Sequence, residues 1–125
     1  MTKQTIYTSK APDPIGAYSQ GVILSNTLFL SGQIGLNPNT MELRDTFSAQ
    51  VKQIFSNLLV ITDEAGTTLD EIVKLTVFVT NLENFPILND IMTEVFKTPY
   101  PARSVVEVSN LPMGAMVEIE AVVKV

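Results

Sequence analysis

The chain has 125 residues, neither cysteine nor histidine, and thirteen acidic against eight basic side chains, for a formal net charge of −5 at pH 7. That composition excludes disulfides, thiolate nucleophiles, imidazole bases and Cys/His metal centres, and the singly scattered basic residues speak against a nucleic-acid footprint. Only 17% of residues are charged while 46% are hydrophobic, too few charges for so small a surface, so part of that surface is expected to lie against other subunits.

The start, MTKQTIYTSKAPDP, lacks the apolar segment of a secretory signal, and no stretch has the length and apolarity needed to span a bilayer. The expectation is a cytoplasmic protein with no membrane partner, folded as a single domain over 1–125. GVIL (21–24) and TLFLSG (27–32) read as a strand pair around Ser25-Asn26. The following GLNPNTMELRD is a loop by its Gly, Asn and Pro content. Residues 46–65 predict a helix, with Phe47, Val51, Ile54, Phe55, Leu58, Ile61 and Ala65 on one stripe, Asp45 or Thr46 as cap and Gly66 as stop. IVKLTVFVT (72–80) alternates, placing Val73, Leu75, Val77 and Val79 on one face of a strand. A second helix runs from about Asn84 to Phe96, with Pro86 in its first turn and Phe85, Leu88, Met92, Val95 and Phe96 as its stripe. Strands at about 101–108 and 116–124 flank a turn containing Pro112 and Gly114.

The order is ββαβαββ, an α+β, two-layer arrangement of two helices on one face of a mixed sheet. The second helix is long enough to carry a parallel crossover between 72–80 and 101–108. Two helices cover one sheet face only, so a closed symmetric homo-oligomer is expected to cover the other.

This chain has only two arginines, Arg44 and Arg103. Strand parity puts Arg103, Val105 and Glu107 on one face of 101–108, and Glu118, Glu120 and Lys124 on one face of 116–124. If the two strands form a hairpin that keeps their apolar rows together, Arg103 falls on the glutamate side. That cluster fits two readings. One is a cross-strand ion pair on a solvated face. The other is an anion site, in which the guanidinium fork grips a carboxylate and a glutamate acts on water as a general base. Parity does not choose between the glutamates.

The stretches IGAYSQGV, LFLSGQIGLNP, IVKLTVFVTNLENFPILND and PARSVVEVSNLP followed by VEIEAVV resemble the Rid (reactive intermediate deaminase, YjgF) family, in order and across nearly the whole chain. The resemblance implies a chorismate-mutase-like fold and a homotrimer with clefts between subunits. It implies hydrolysis of small 2-imino acids, such as 2-iminopropanoate and 2-iminobutanoate, to 2-keto acids and ammonia, with no metal and no cofactor. By the same resemblance Arg103 grips the substrate carboxylate, the Val105 N–H assists it, and Glu118 handles water. Tyr18 becomes a cleft wall and hydrogen-bond donor, Ser31 and Gly32 flank the cleft, and Asn89 lines it from the second helix. One position departs from the pattern: Val105 stands where the family usually has cysteine. A non-catalytic module that binds small carboxylates in the same clefts is the alternative, and it needs no activated water.

Overall fold

The computed structural model describes residues 2–125, in which two helices pack on one face of a six-stranded mixed sheet. Helix α1 (Phe47–Glu64) begins where the Thr46 side chain accepts the Ala49 N–H at 3.1 Å, and it stops at Gly66, whose φ of +77° suits a residue without Cβ. Its predicted stripe is the core: Val51, Ile54, Leu58 and Ile61 are fully buried. Each such side chain contributes about 1.5–3 kcal/mol through burial. Helix α2 (Phe85–Val95) carries Pro86 in its first turn, where no intrahelical N–H bond is lost, and buries Leu88, Ile91 and Met92. Phe96, just past its end, meets Phe55 of α1 edge to face, with centroids 5.5 Å apart. No helix among the described residues is long and apolar enough to cross a membrane.

The strands are β1 (Gln4–Ile6), β2 (Gly21–Leu24), β3 (Thr27–Gln33), β4 (Ile72–Val79), β5 (Ala102–Glu107) and β6 (Val117–Lys124). They lie in the order β1-β2-β3-β6-β4-β5. Strand β1 was absent from the sequence reading; with three residues and one buried side chain, it has too little pattern to read. The β4–β5 pair is parallel, as the crossover helix predicts.

Two expectations fail, for different reasons. Strands β5 and β6 do not form a hairpin. Strand β6, whose Val117, Ile119, Ala121 and Val123 are all buried, inserts between β3 and β4, and β5 is left at the sheet edge beside β4. Leu75 is in register with both Arg103 and Ala121, so Arg103 shares the helix-covered face with the apolar rows of β4 and β6. Glu118 and Glu120 pair with Phe78 and Thr76 and face the other way. The apolar-inward rule that underlay the parity argument holds for the central strands and reverses at the edge. There α2 only partly covers the strand, so Arg103 and Glu107 are tolerated on the helix side while Val106 stays exposed on the open side. The second failure is local: a register shift between Ile72 and Lys74 turns Val73 outward, and Ile72 takes its place in the core.

The open face presents Leu24, Phe29 and Val106 to solvent beside Thr76, Phe78, Glu118 and Glu120.

Candidate active site

Buried amides hold the loops that carry the candidate residues. The Gln20 side chain accepts the Thr8 N–H at 2.8 Å and donates to the Thr8 and Pro12 carbonyls, both at 3.0 Å, which ties down the 8–20 segment that carries Tyr18. Gln50 of α1 accepts the Met116 N–H and donates to the Arg44 carbonyl, each at 2.9 Å. It thereby anchors both the 35–45 loop and the start of β6, two residues before Glu118. Every one of these amide groups is paired, so their burial costs little.

The sequence-derived residues divide into two groups on opposite sheet faces. Arg103, Val105 and Asn89 lie together where α2 meets β5. The Arg103 Nη1 donates to Asn89 Oδ1 at 3.2 Å and to the Met92 sulfur at 3.4 Å, and its Cζ sits 5.0 Å from the Phe85 ring centroid. The partners of the guanidinium here are thus an amide, a thioether and an aromatic face, all uncharged. Beside them opens a pocket of about 410 Å³ lined by Asn89, Met92, Thr93, Tyr100, Pro101 and Arg103.

Val105, at the position where the resemblance expects cysteine, turns its side chain and its N–H different ways. Its side chain packs against the core. Its N–H points the other way: Val108 donates to Val79, and strand alternation aims the N–H groups of Arg103 and Val105 at the free sheet edge. Any residue but proline keeps that N–H.

The second group surrounds a pocket of about 250 Å³ that includes Pro12, Ile15, Tyr18, Gly32, Ile34, Pro112 and Glu118 in its lining. Here the Glu118 carboxyl rests against Gly32: a Cβ added at that glycine would lie 2.9 Å from Glu118 Cδ and 3.0 Å from Oε2. Burial pushes the Glu118 carboxyl above its ordinary value of 4.5, and the charge of Glu120 pushes it further in the same direction. A carboxylate so placed is a stronger base than one in open water. The Tyr18 phenol accepts the Ile15 N–H at 3.2 Å, which leaves its own proton free to donate elsewhere. Ser31 is already engaged, its hydroxyl donating to the Ser19 carbonyl at 2.5 Å. It braces the bulge at Ser31-Gly32, opposite Glu120, that brings the glycine to Glu118.

Arg103 and Glu118 therefore do not meet within the chain, contrary to the parity expectation. Phe85 and Met92 were read as core, yet both touch Arg103. The only signal in the sequence is their spacing with Asn89: positions 85, 89 and 92 stack on one helix face. Among the described residues no three His, Cys, Asp or Glu side chains gather to hold a metal ion.

Comparison with known proteins places this arrangement. A family model described as "Endoribonuclease L-PSP" matches residues 8–125. The 2-iminobutanoate/2-iminopropanoate deaminase of Dermatophagoides farinae is 43% identical over 97% of this chain and 95% of its own length. The protein of that name from Homo sapiens is 37% identical over 98% and 90%, respectively. The crystal structure of RidA from the Antarctic bacterium Psychrobacter sp. PAMC 21119 superposes with a TM-score of 0.96 at 46% identity, covering 98% of this chain and 99% of that one. Likeness this even along both sequence and fold, together with the motifs already quoted, makes the chain a member of the Rid (YjgF) family.

Proposed function

We propose that the protein hydrolyses small 2-imino acids to 2-keto acids and ammonia, in clefts between the chorismate-mutase-like subunits of a homotrimer. The observation that supports this reading is the division of the site. One face of the chain carries a carboxylate clamp whose guanidinium touches no acid; the opposite face carries a basic carboxylate in an apolar pocket. Each lacks what the other has, and the exposed apolar patch on the open face is where a second copy would dock. In this reading one subunit supplies Arg103, Val105 and Asn89, and its neighbour supplies Tyr18, Gly32 and Glu118.

The imino acid enters with its carboxylate on the Arg103 fork and the Val105 N–H. Charge-assisted, bidentate contacts of this kind hold C2 in one place, so that attack on it becomes effectively unimolecular. Glu118 takes a proton from a water whose oxygen bonds to C2, and the C=N double bond becomes the single bond of a carbinolamine. The imine reacts as its iminium, so the C=N electron pair settles on nitrogen and the carbinolamine is neutral. Glu118 then gives its proton to that nitrogen, and the C–N bond breaks to release ammonia. Glu118 takes the hydroxyl proton as C=O forms and passes it on to the ammonia, which departs as ammonium. A carboxyl with a raised pKa suits both halves of this shuttle. Imines hydrolyse in water unaided, so the protein need only lower the barrier modestly; each ~1.4 kcal/mol is tenfold in rate. The scheme uses no metal or cofactor. The ribonuclease wording of the family description finds no footing in a chain with net charge −5 and no histidine.

The direct test generates 2-iminopropanoate in situ with an amino-acid oxidase and traps it with semicarbazide. Native protein should divert the imine to pyruvate, and Arg103→Ala should not. A folded native protein that leaves the trapped fraction unchanged would favour the carboxylate-binding module, for which Glu118→Gln should not impair ligand binding.

A further inference from the structure

Arginine's long side chain must lose its freedom before it can serve as a fork. Proteins often restrain it with a carboxylate, but here a carboxylate would neutralise the charge and compete with the ligand. The surroundings of Arg103 solve the problem with neutral groups alone. A guanidinium has five N–H donors, two of them on Nη1. Nη1 has two acceptors, Asn89 Oδ1 and the Met92 sulfur, while the Phe85 ring lies 5.0 Å from Cζ and engages the flat face. Phe85, Asn89 and Met92 occupy successive turns of one face of α2, so a single helix supplies the whole seat. What stays free is the edge formed by Nε–H and Nη2–H, two parallel donors at the spacing of a carboxylate.

We infer that Phe85 and Met92 are positioning residues which, with Asn89, seat Arg103 without charge so that its Nε–Nη2 edge receives the carboxylate of the ligand. The inference rests on the reading of Arg103 as a carboxylate clamp. Phe85 is the better probe because it is 38% exposed, whereas Met92 is part of the core.

The presence of only two arginines makes the test clean, because a 1H–15N spectrum of the assembled protein shows two Nε–H resonances and Arg103→Lys identifies one of them. Shielding by the Phe85 ring should move the Arg103 signal upfield. Phe85→Leu should abolish that shift and weaken binding of 2-oxobutanoate, the probe ligand, by about two- to five-fold, the range of an exposed cation–π contact. Turnover at saturating imine should hold, since a uniform loss of binding leaves kcat alone. Phe85→Tyr, which keeps the π face, should restore both the shift and the affinity. If Phe85→Leu leaves the Arg103 resonance and the 2-oxobutanoate affinity at native values, while Arg103→Lys loses binding, the seat is wrong and the clamp stands. If Arg103→Lys also binds 2-oxobutanoate normally, the clamp itself is wrong and the positioning role falls with it.

Discussion

If Arg103 and Glu118 act in one cleft while standing on opposite faces of the same sheet, they must come from different chains, and two dead variants should rescue each other. Arg103→Ala removes charge-assisted hydrogen bonds worth about 1.5–3 kcal/mol, which lowers kcat/KM roughly 10- to 150-fold. Glu118→Gln removes the base and is expected to be no less damaging. Homo-oligomers of either variant contain no complete cleft. When the two are co-expressed in equal amounts, a cleft is complete if its arginine half comes from the Glu118→Gln chain and its glutamate half from the Arg103→Ala chain. Each condition is met half the time in a randomly assembled cyclic oligomer, so about a quarter of all clefts are native. The assay is pyruvate release from 2-iminopropanoate by the whole co-expressed mixture, the two variants carrying different tags so that their equal amounts can be verified. Recovery towards a quarter of native activity fits the shared cleft. A mixture no more active than its components would refute it, because a cleft built within one chain cannot be complemented.

The two glycines that press on neighbours should behave differently. In Gly32→Ala the new Cβ meets the flexible end of Glu118, so the fold should survive within about 1 kcal/mol while turnover falls roughly tenfold or more. In Gly35→Ala the Cβ lies 2.6 Å from the Gln50 backbone, and a loss of about 1–3 kcal/mol should appear in thermal melts. Val105→Cys should retain activity, because the N–H is unchanged. Val105→Pro should stay folded, as the lost N–H faces the free edge, yet weaken 2-oxobutanoate binding measured by titration. The acidic limb of the pH–rate profile should lie above 4.5, activity falling as Glu118 gains its proton. Glu120→Gln should move the limb down without bringing it to 4.5, since burial is the larger cause. The same raised carboxyl contributes stability that is fully present below pH 4.5 and lost as pH rises through its folded value. Melting temperatures of Glu118→Gln should therefore exceed native at neutral pH and converge with it in acid.

Local pattern was enough to place most elements. The stripe of α1, a cap at Asp45 or Thr46, the Gly66 stop and the parallel crossover through α2 are all written in residue spacing, because a helix buries every third or fourth residue whatever lies opposite. The quoted motifs likewise identify the family, since long ordered matches survive any error of topology. What spacing could not supply was which strand lies beside which. Arg103 and Glu118 are fifteen residues apart on consecutive strands, and a hairpin was the economical inference. The fold chose otherwise because β6 carries an unbroken alternating row of four buried residues and belongs at the centre beside β4, which sends β5 to the edge. At an edge half-covered by one helix, the polar row can turn inward, and there α2 meets Arg103 with a ring, an amide and a sulfur. Chain periodicity reports which residues share a face of their own strand. Only the packed sheet decides which of those faces look the same way.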